Sequence, residues 1–178
     1  MTTGVLESRN LDAPHSDPIP WSRAVAQLER LQPAGGSRGP TCWLSTTSPD
    51  ASPHVAGVVG FWLDGILYFV SGPRTRKARN LSRDARCSFA ISLADLDLVL
   101  HGTARRITDS ATLTRIAEGY TGRGWPVTTT GDQFTAPFWA PTAPPPPWHL
   151  HAFQPATALA VATAPPGGAT SWRFAARG

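Results

Sequence analysis

Residues 62–86 read Trp62-Leu-Asp-Gly-Ile-Leu-Tyr-Phe-Val-Ser-Gly-Pro-Arg-Thr-Arg-Lys-Ala-Arg-Asn-Leu-Ser-Arg-Asp-Ala-Arg86. Asp64-Gly65 is a dipeptide that tolerates positive φ, so it predicts a two-residue hairpin turn between a strand ending at Trp62 and a strand over Ile66–Ser71. Gly72-Pro73 breaks the second strand, and a short helix is expected to follow. Arg74, Arg76, Lys77 and Arg79 place four cations within six residues at that point. Free amides at a helix start, beside Thr75 and guanidinium groups, suit a phosphate. A solvated basic helix face explains the same run of charge.

Outward from this stretch, the pattern on both sides is mostly short strands. Toward the N-terminus, Thr41–Thr46 and His54–Phe61 read as strands joined by a turn at Ser48-Pro49-Asp50. Ala56, Gly57 and Gly60 in the second of these allow close approach of a flat group or another backbone. Trp21, Val25, Leu28 and Leu31 recur at helical spacing, and Gln32-Pro33 with Gly35-Gly36 ends that helix. Residues 1–20 hold Pro14, Pro18 and Pro20 with few apolar residues and read as a loose arm. Residues 21–178 read as a single domain.

Toward the C-terminus, Cys87, Phe89, Ile91 and Leu93 alternate with Ser88, Ala90 and Ser92, a period-2 strand signal over Arg86–Leu93. A long strand follows over Leu98–Ile107. Thr108 or Asp109 then caps a helix whose Leu113, Ile116, Ala117 and Tyr120 share one face. Residues 121–147 read as irregular, but Phe134, Phe138 and Trp139 favour an ordered loop laid across a barrel. Trp148–Val161 reads as one or two strands broken near Pro155, and Ser171–Phe174 as a terminal strand. Many short antiparallel strands favour a barrel, which leaves no open edge.

The chain has 178 residues, 41% of them hydrophobic, enough for a packed core. No apolar run approaches the ~20 residues that span a bilayer. The opening lacks a basic region followed by an apolar run, so no secretory signal is expected. Cys42 and Cys87 sit within strand patterns, which points to buried, reduced thiols and a cytoplasmic protein. Their spacing makes no zinc site. The net charge of +4 is carried almost wholly by arginine, with Lys77 the only lysine, and favours anionic partners.

The run from Trp43 to Thr108 resembles the pyridoxamine 5′-phosphate oxidase-like split barrels, also called flavin/deazaflavin oxidoreductases. The resemblance rests on Pro53-His54-Val55, Trp62-Leu63-Asp64-Gly65, Thr75-Arg76-Lys77-Ala78-Arg79-Asn80-Leu81 and Gly102-Thr103-Ala104, with Ser171-Trp172-Arg173-Phe174 at the end. It implies a mainly β (α+β) fold: a six-stranded antiparallel split β-barrel with a few short helices, of the FMN-binding split-barrel type. It also implies a homodimer that binds FMN or the deazaflavin F420 at the interface and transfers hydride to or from a small organic substrate. By the same resemblance Thr75, Arg76 and Lys77 hold the cofactor phosphate, with Arg74 and Asn80 beside them. Val55, Ala56, Val58 and Val59 lie against the ring system, with Val70 and Ser71 nearby, and a dimer-related Arg173 reaches the same place.

Val55 and Gly60 stand where pyridoxamine phosphate oxidases proper carry basic residues. Trp172-Arg173-Phe174 replaces their Arg-Leu-Ala-Pro ending, so vitamin B6 is not the implied substrate. Asp50-Ala51-Ser52 lacks the usual turn glycine, which predicts a distorted first hairpin.

No Ser-His-Asp or Cys-His arrangement identifies a catalytic residue, and in a flavin enzyme none is required, because the cofactor carries the hydride chemistry. Trp62, Trp139 and Trp148 are candidates for a wall over the ring. His149 and His151 share one side of a strand, expected to be its wetter side, with no metal bound. A haem protein with a strand histidine as axial ligand, a non-enzymatic cofactor carrier and a nucleic-acid binder using Arg74–Arg79 are the competing readings. The last is disfavoured because no aromatic stacking platform lies in the cluster. No membrane partner is expected.

Overall fold

The computed structural model describes residues 4–12, 17–31, 39–139 and 143–176. In chain order these form β1 (Val5–Asn10), α1 (Trp21–Leu28), β2 (Cys42–Thr47), β3 (Pro53–Val58), β4 (Gly60–Leu63), β5 (Ile66–Ser71) and α2 (Arg76–Arg83). They continue with β6 (Arg86–Ser92), β7 (Leu96–Arg106), α3 (Ser110–Thr121), β8 (Thr128–Thr130), β9 (Gln133–Thr135), β10 (His149–Ala162) and β11 (Ala169–Phe174). The helix-ending residues expected at 32–36, and Pro14 of the arm, lie outside the described residues.

Nine strands join one antiparallel sheet in the order β1-β11-β10-β7-β6-β2-β3, with β5 pairing β10 and β4 pairing β5. Nine strands, not six, make up this sheet. The expected second strand divides at Val59 into β3, which pairs β2, and β4, which pairs β5. The long strand β10 has β7 along one edge, while the other edge is shared by β5 (residues 149–153) and β11 (residues 157–161). That fork is where the sheet splits. A register shift between Pro155 and Thr157 marks the change. Proline has no N–H to give the ladder there, and Ala156 is the extra residue of a bulge.

The expectation of a loose arm fails at Val5–Asn10, which pairs with β11. Ala175 N donates to Gly4 O at 3.0 Å and Leu11 N to Ala169 O at 2.9 Å. Nearly all β1 side chains are exposed, so no hydrophobic pattern announces the strand; backbone pairing holds it. The expected irregular stretch 121–147 contains the hairpin β8–β9, with Phe134 buried and Phe138 and Trp139 exposed.

Two cores result. One packs α1, β2, β6, β7, β10 and β11 around Trp21, Leu44, Phe89, Leu100 and Trp172. The other packs α3 and Phe134 against Phe61, Tyr68 and Leu150. Alternate residues of β5 enter different cores: Leu67 and Phe69 the first, Tyr68 the second. Burial on both faces explains the unbroken apolar run Ile66–Val70. Asp109 caps α3 as expected, its Oδ1 accepting from Thr112 N at 2.8 Å. Cys42 and Cys87 are buried, unpaired thiols, and burial pushes each up to about 12. No helix among the described residues is long and apolar enough to cross a membrane.

Candidate functional site

The Asp64-Gly65 turn takes φ of 52° and 80°, the left-handed pair that a tight hairpin needs. It delivers β5 to Ser71-Gly72, where the chain swings into α2. A Cβ on Gly72 would come within 2.8 Å of Pro144 Cγ, so the turn is crowded by the following loop. Thr75 caps α2: its Oγ1 accepts from Ala78 N at 3.3 Å and donates to Gly72 O at 2.9 Å. With that hydrogen committed, Ser71 Oγ donates to Thr75 Oγ1 across 2.8 Å. Thr75 therefore fixes the helix start. The amides of Arg76 and Lys77 have no partner within the helix and remain for a ligand.

The turn between β2 and β3 closes the other side. Arg76 Nη2 donates to Ser48 Oγ at 3.0 Å. Asn80, buried, donates through Nδ2 to Thr46 Oγ1 at 3.0 Å, which docks α2 onto β2. His54 Nδ1 lies 3.4 Å from the same Thr46 oxygen. Burial, then the charges of Arg76 and Lys77, hold the His54 imidazole below its ordinary range. Burial also lowers Lys77. Among the described residues Arg74, Arg76, Lys77, Arg79 and Arg83 make no ion pair with a carboxylate. A surface cation normally finds a carboxylate or open water; a half-buried lysine and a tethered arginine beside two free amides make a seat that fits an oxyanion.

The structure brings Arg74, Thr75, Arg76, Lys77, Asn80 and Ser71 together with the start of β3. Val55 on that strand is exposed, Ala56 half-buried and Val58 buried; Val59 is exposed, and Val70 is half-buried against the second core. Arg173 is not part of this group in one chain. Its partner on β10 is Thr157, whereas the partner of Ser71 is His149, eight residues away along the strand or about 25 Å.

Of the three tryptophans expected to wall a ring, Trp62 and Trp148 are buried and only Trp139 is exposed. The expected wet histidine side is also corrected. His149 is half-buried, with Nε2 3.2 Å from Gln133 Nε2, and His151 is buried. His151 lies against Phe69 of the first core, so this side of the strand is not its wetter side. His54 and Ser48 are site residues that sequence reasoning did not assign. His54 was visible in Pro53-His54-Val55, but only the crossing of α2 over β2 and β3 sets it beside Lys77. Among the described residues no group of three or more His, Cys, Asp or Glu is placed to hold a metal ion.

A family model described as pyridoxamine 5′-phosphate oxidase matches residues 36–133. Among solved structures, a putative pyridoxamine 5′-phosphate oxidase from Listeria innocua is 18% identical, with a TM-score of 0.53 over 77% of this chain and 94% of that one. A pyridoxamine 5′-phosphate oxidase-related, FMN binding protein from Nostoc punctiforme is 16% identical, with a TM-score of 0.51 over 89% and 98%. General Stress Protein 26 from Bacillus anthracis is 16% identical, with a TM-score of 0.52 over 79% and 92%. At these identities the likeness is one of fold. No curated protein sequence matches.

Proposed function

For a chain that belongs to the pyridoxamine 5′-phosphate oxidase family, as the match over more than half its length shows, we propose the role of an FMN- or F420-dependent oxidoreductase acting on a small organic substrate. The observation that carries this reading is the cationic start of α2, whose cations make no ion pair among the described residues, closed by the β2–β3 turn. Arg76 and Lys77 hold the cofactor phosphate, with the two free amides completing its hydrogen bonds. The exposed side of β3 at Val55, with Val59 just beyond the strand, supports the ring system, and Val70 and Ser71 frame its edge. The cofactor supplies hydride chemistry when bound; this chain binds it, orients it and keeps water from one face. A haem reading is disfavoured because His151 is buried and its ring is stacked on Phe69, which leaves no open face for an axial ligand.

The reading includes a homodimer. Trp43 and Val55 are 51% and 55% exposed on neighbouring strands, an apolar surface that a second copy would cover. Arg173 would enter the seat only from that second copy.

Titration of FMN and of F420 into the purified chain, followed by absorbance, tests the reading. Lys77→Ala and Arg76→Ala are each expected to remove a charge-assisted contact of about 1.5–3 kcal/mol, about ten- to a hundredfold in Kd, with folding preserved. Unchanged affinity in both variants would remove the phosphate seat. A stable monomer by light scattering that still binds cofactor would remove the interface.

A further inference from the structure

A groove opens between α3 and β8, which lies beside it. Thr114, Glu118 and Thr121 fall at i, i+4 and i+7 of α3, so they line one wall. Thr128 and Thr129 of β8 form the other. Ala117 and Val127, both buried, make an apolar floor. The groove holds about 420 Å³, within the roughly 300–1,000 Å³ of small-molecule sites.

The groove is one-sided in charge. Among its described lining residues Glu118 alone is charged, and it makes no ion pair among the described residues. The arginines nearest to it in sequence are committed elsewhere. Arg115 Nη1 donates to Asp64 Oδ2 at 2.7 Å and Nη2 to Tyr68 Oη at 3.3 Å. Arg123 Nη1 donates to Gly119 O at 3.2 Å, and its guanidinium carbon lies 4.5 Å from the centroid of the Phe61 ring. In a chain of net charge +4, this carboxylate is thus kept from the chain's own cations.

The hydroxyl groups around Glu118 can accept as well. Thr121 Oγ1 donates to Val127 O at 3.4 Å, which leaves its own lone pairs for a ligand. Thr114, Thr128 and Thr129 bring rotatable hydroxyls to both walls. Strand β8 pairs β9 alone, so carbonyls along its other edge are open too. Acceptors therefore surround an apolar floor. We propose that this groove binds a small primary ammonium ion with a short alkyl body. Its N–H hydrogens go to Glu118 and the threonine oxygens as charge-assisted bonds, and its alkyl chain covers Ala117 and Val127. An oxyanion would meet a carboxylate there and no cation. The site stands without the cofactor reading, since α2 and β3 contribute nothing to it.

The test uses the full chain without added cofactor, in low-salt phosphate buffer near neutral pH, with butylammonium chloride as the probe. Tetramethylammonium chloride, which has no N–H hydrogen, is the control at equal ionic strength. The Thr114 and Thr128 methyl resonances are assigned with Thr114→Ser and Thr128→Ser variants and followed by NMR. Butylammonium should move both saturably, and tetramethylammonium should not. Glu118→Gln, at an exposed position on α3, should weaken that binding about tenfold, the loss of one charge-assisted contact. Methyl resonances unmoved by butylammonium, an equal response to tetramethylammonium, or equal affinity in Glu118→Gln and the parent chain would overturn the proposal.

Discussion

The imidazole of His151 lies stacked on the ring of Phe69, with centroids 5.0 Å apart and planes 14° from parallel. His151 is 4% exposed, and its Nδ1 has no hydrogen-bond partner among the described residues. Burial above all, then the neighbouring His149, Arg106 and Lys77, pushes it down from 6.5 to about 4. The folded protein thus holds this imidazole neutral where the unfolded chain would protonate it.

The sign follows from that difference. The unfolded state binds the extra proton, so the contribution is complete above pH 6.5 and is lost as pH falls toward about 4. Its upper size is about 3 kcal/mol. Denaturant midpoints measured across this window should fall with pH, and His151→Phe, which keeps the stacking, should flatten the slope. An unchanged slope in the variant would assign the effect to His54 and His149, whose protonated forms burial also disfavours.

Gly102 faces the bulge of β10. A Cβ there would meet Gln154 O at 2.0 Å and Pro155 Cα at 3.0 Å, both backbone atoms. Neither can swing aside, so Gly102→Ala should cost about 3 kcal/mol or prevent folding. Gly167→Ala, with nothing within 4 Å of its Cβ, is the control and should be close to neutral. Equal midpoints for the two variants in urea would refute the steric account.

Ala51 takes a φ of 63° in the turn between β2 and β3, a left-handed conformation that favours glycine. Asp50 Oδ1 secures the turn by accepting from Ser52 N at 3.1 Å and Ser52 Oγ at 2.6 Å. Ala51→Gly removes a left-handed penalty of about 1 kcal/mol but loosens the unfolded chain, for an expected net gain of roughly 0.5 kcal/mol. Thermal melting should show a higher Tm. A lower one would mean that the alanine is unstrained.

The elements legible in the sequence are those whose signals are local. Asp64-Gly65 names its own turn because few dipeptides accept two positive φ values. Cys87 to Ile91 shows its strand because one face is buried and the other is not, and Asp109 shows the start of α3 because its carboxylate meets an amide three residues on. The cationic cluster at Arg74–Arg79 was visible for the same reason, and with it the core of the candidate site. Tertiary structure alone decided the rest. Strand β1 pairs with residues more than 150 positions away through backbone groups that every sequence carries, so nothing in its side chains marks it. His151 alternates like a surface histidine, but Phe69, brought from β5, stacks on it and closes it off from water. Glu7, Arg173, Thr157 and His101 fall in one row only because four strands align in one register. Backbone pairing across distant parts of the chain sets that register, and no local spacing encodes it.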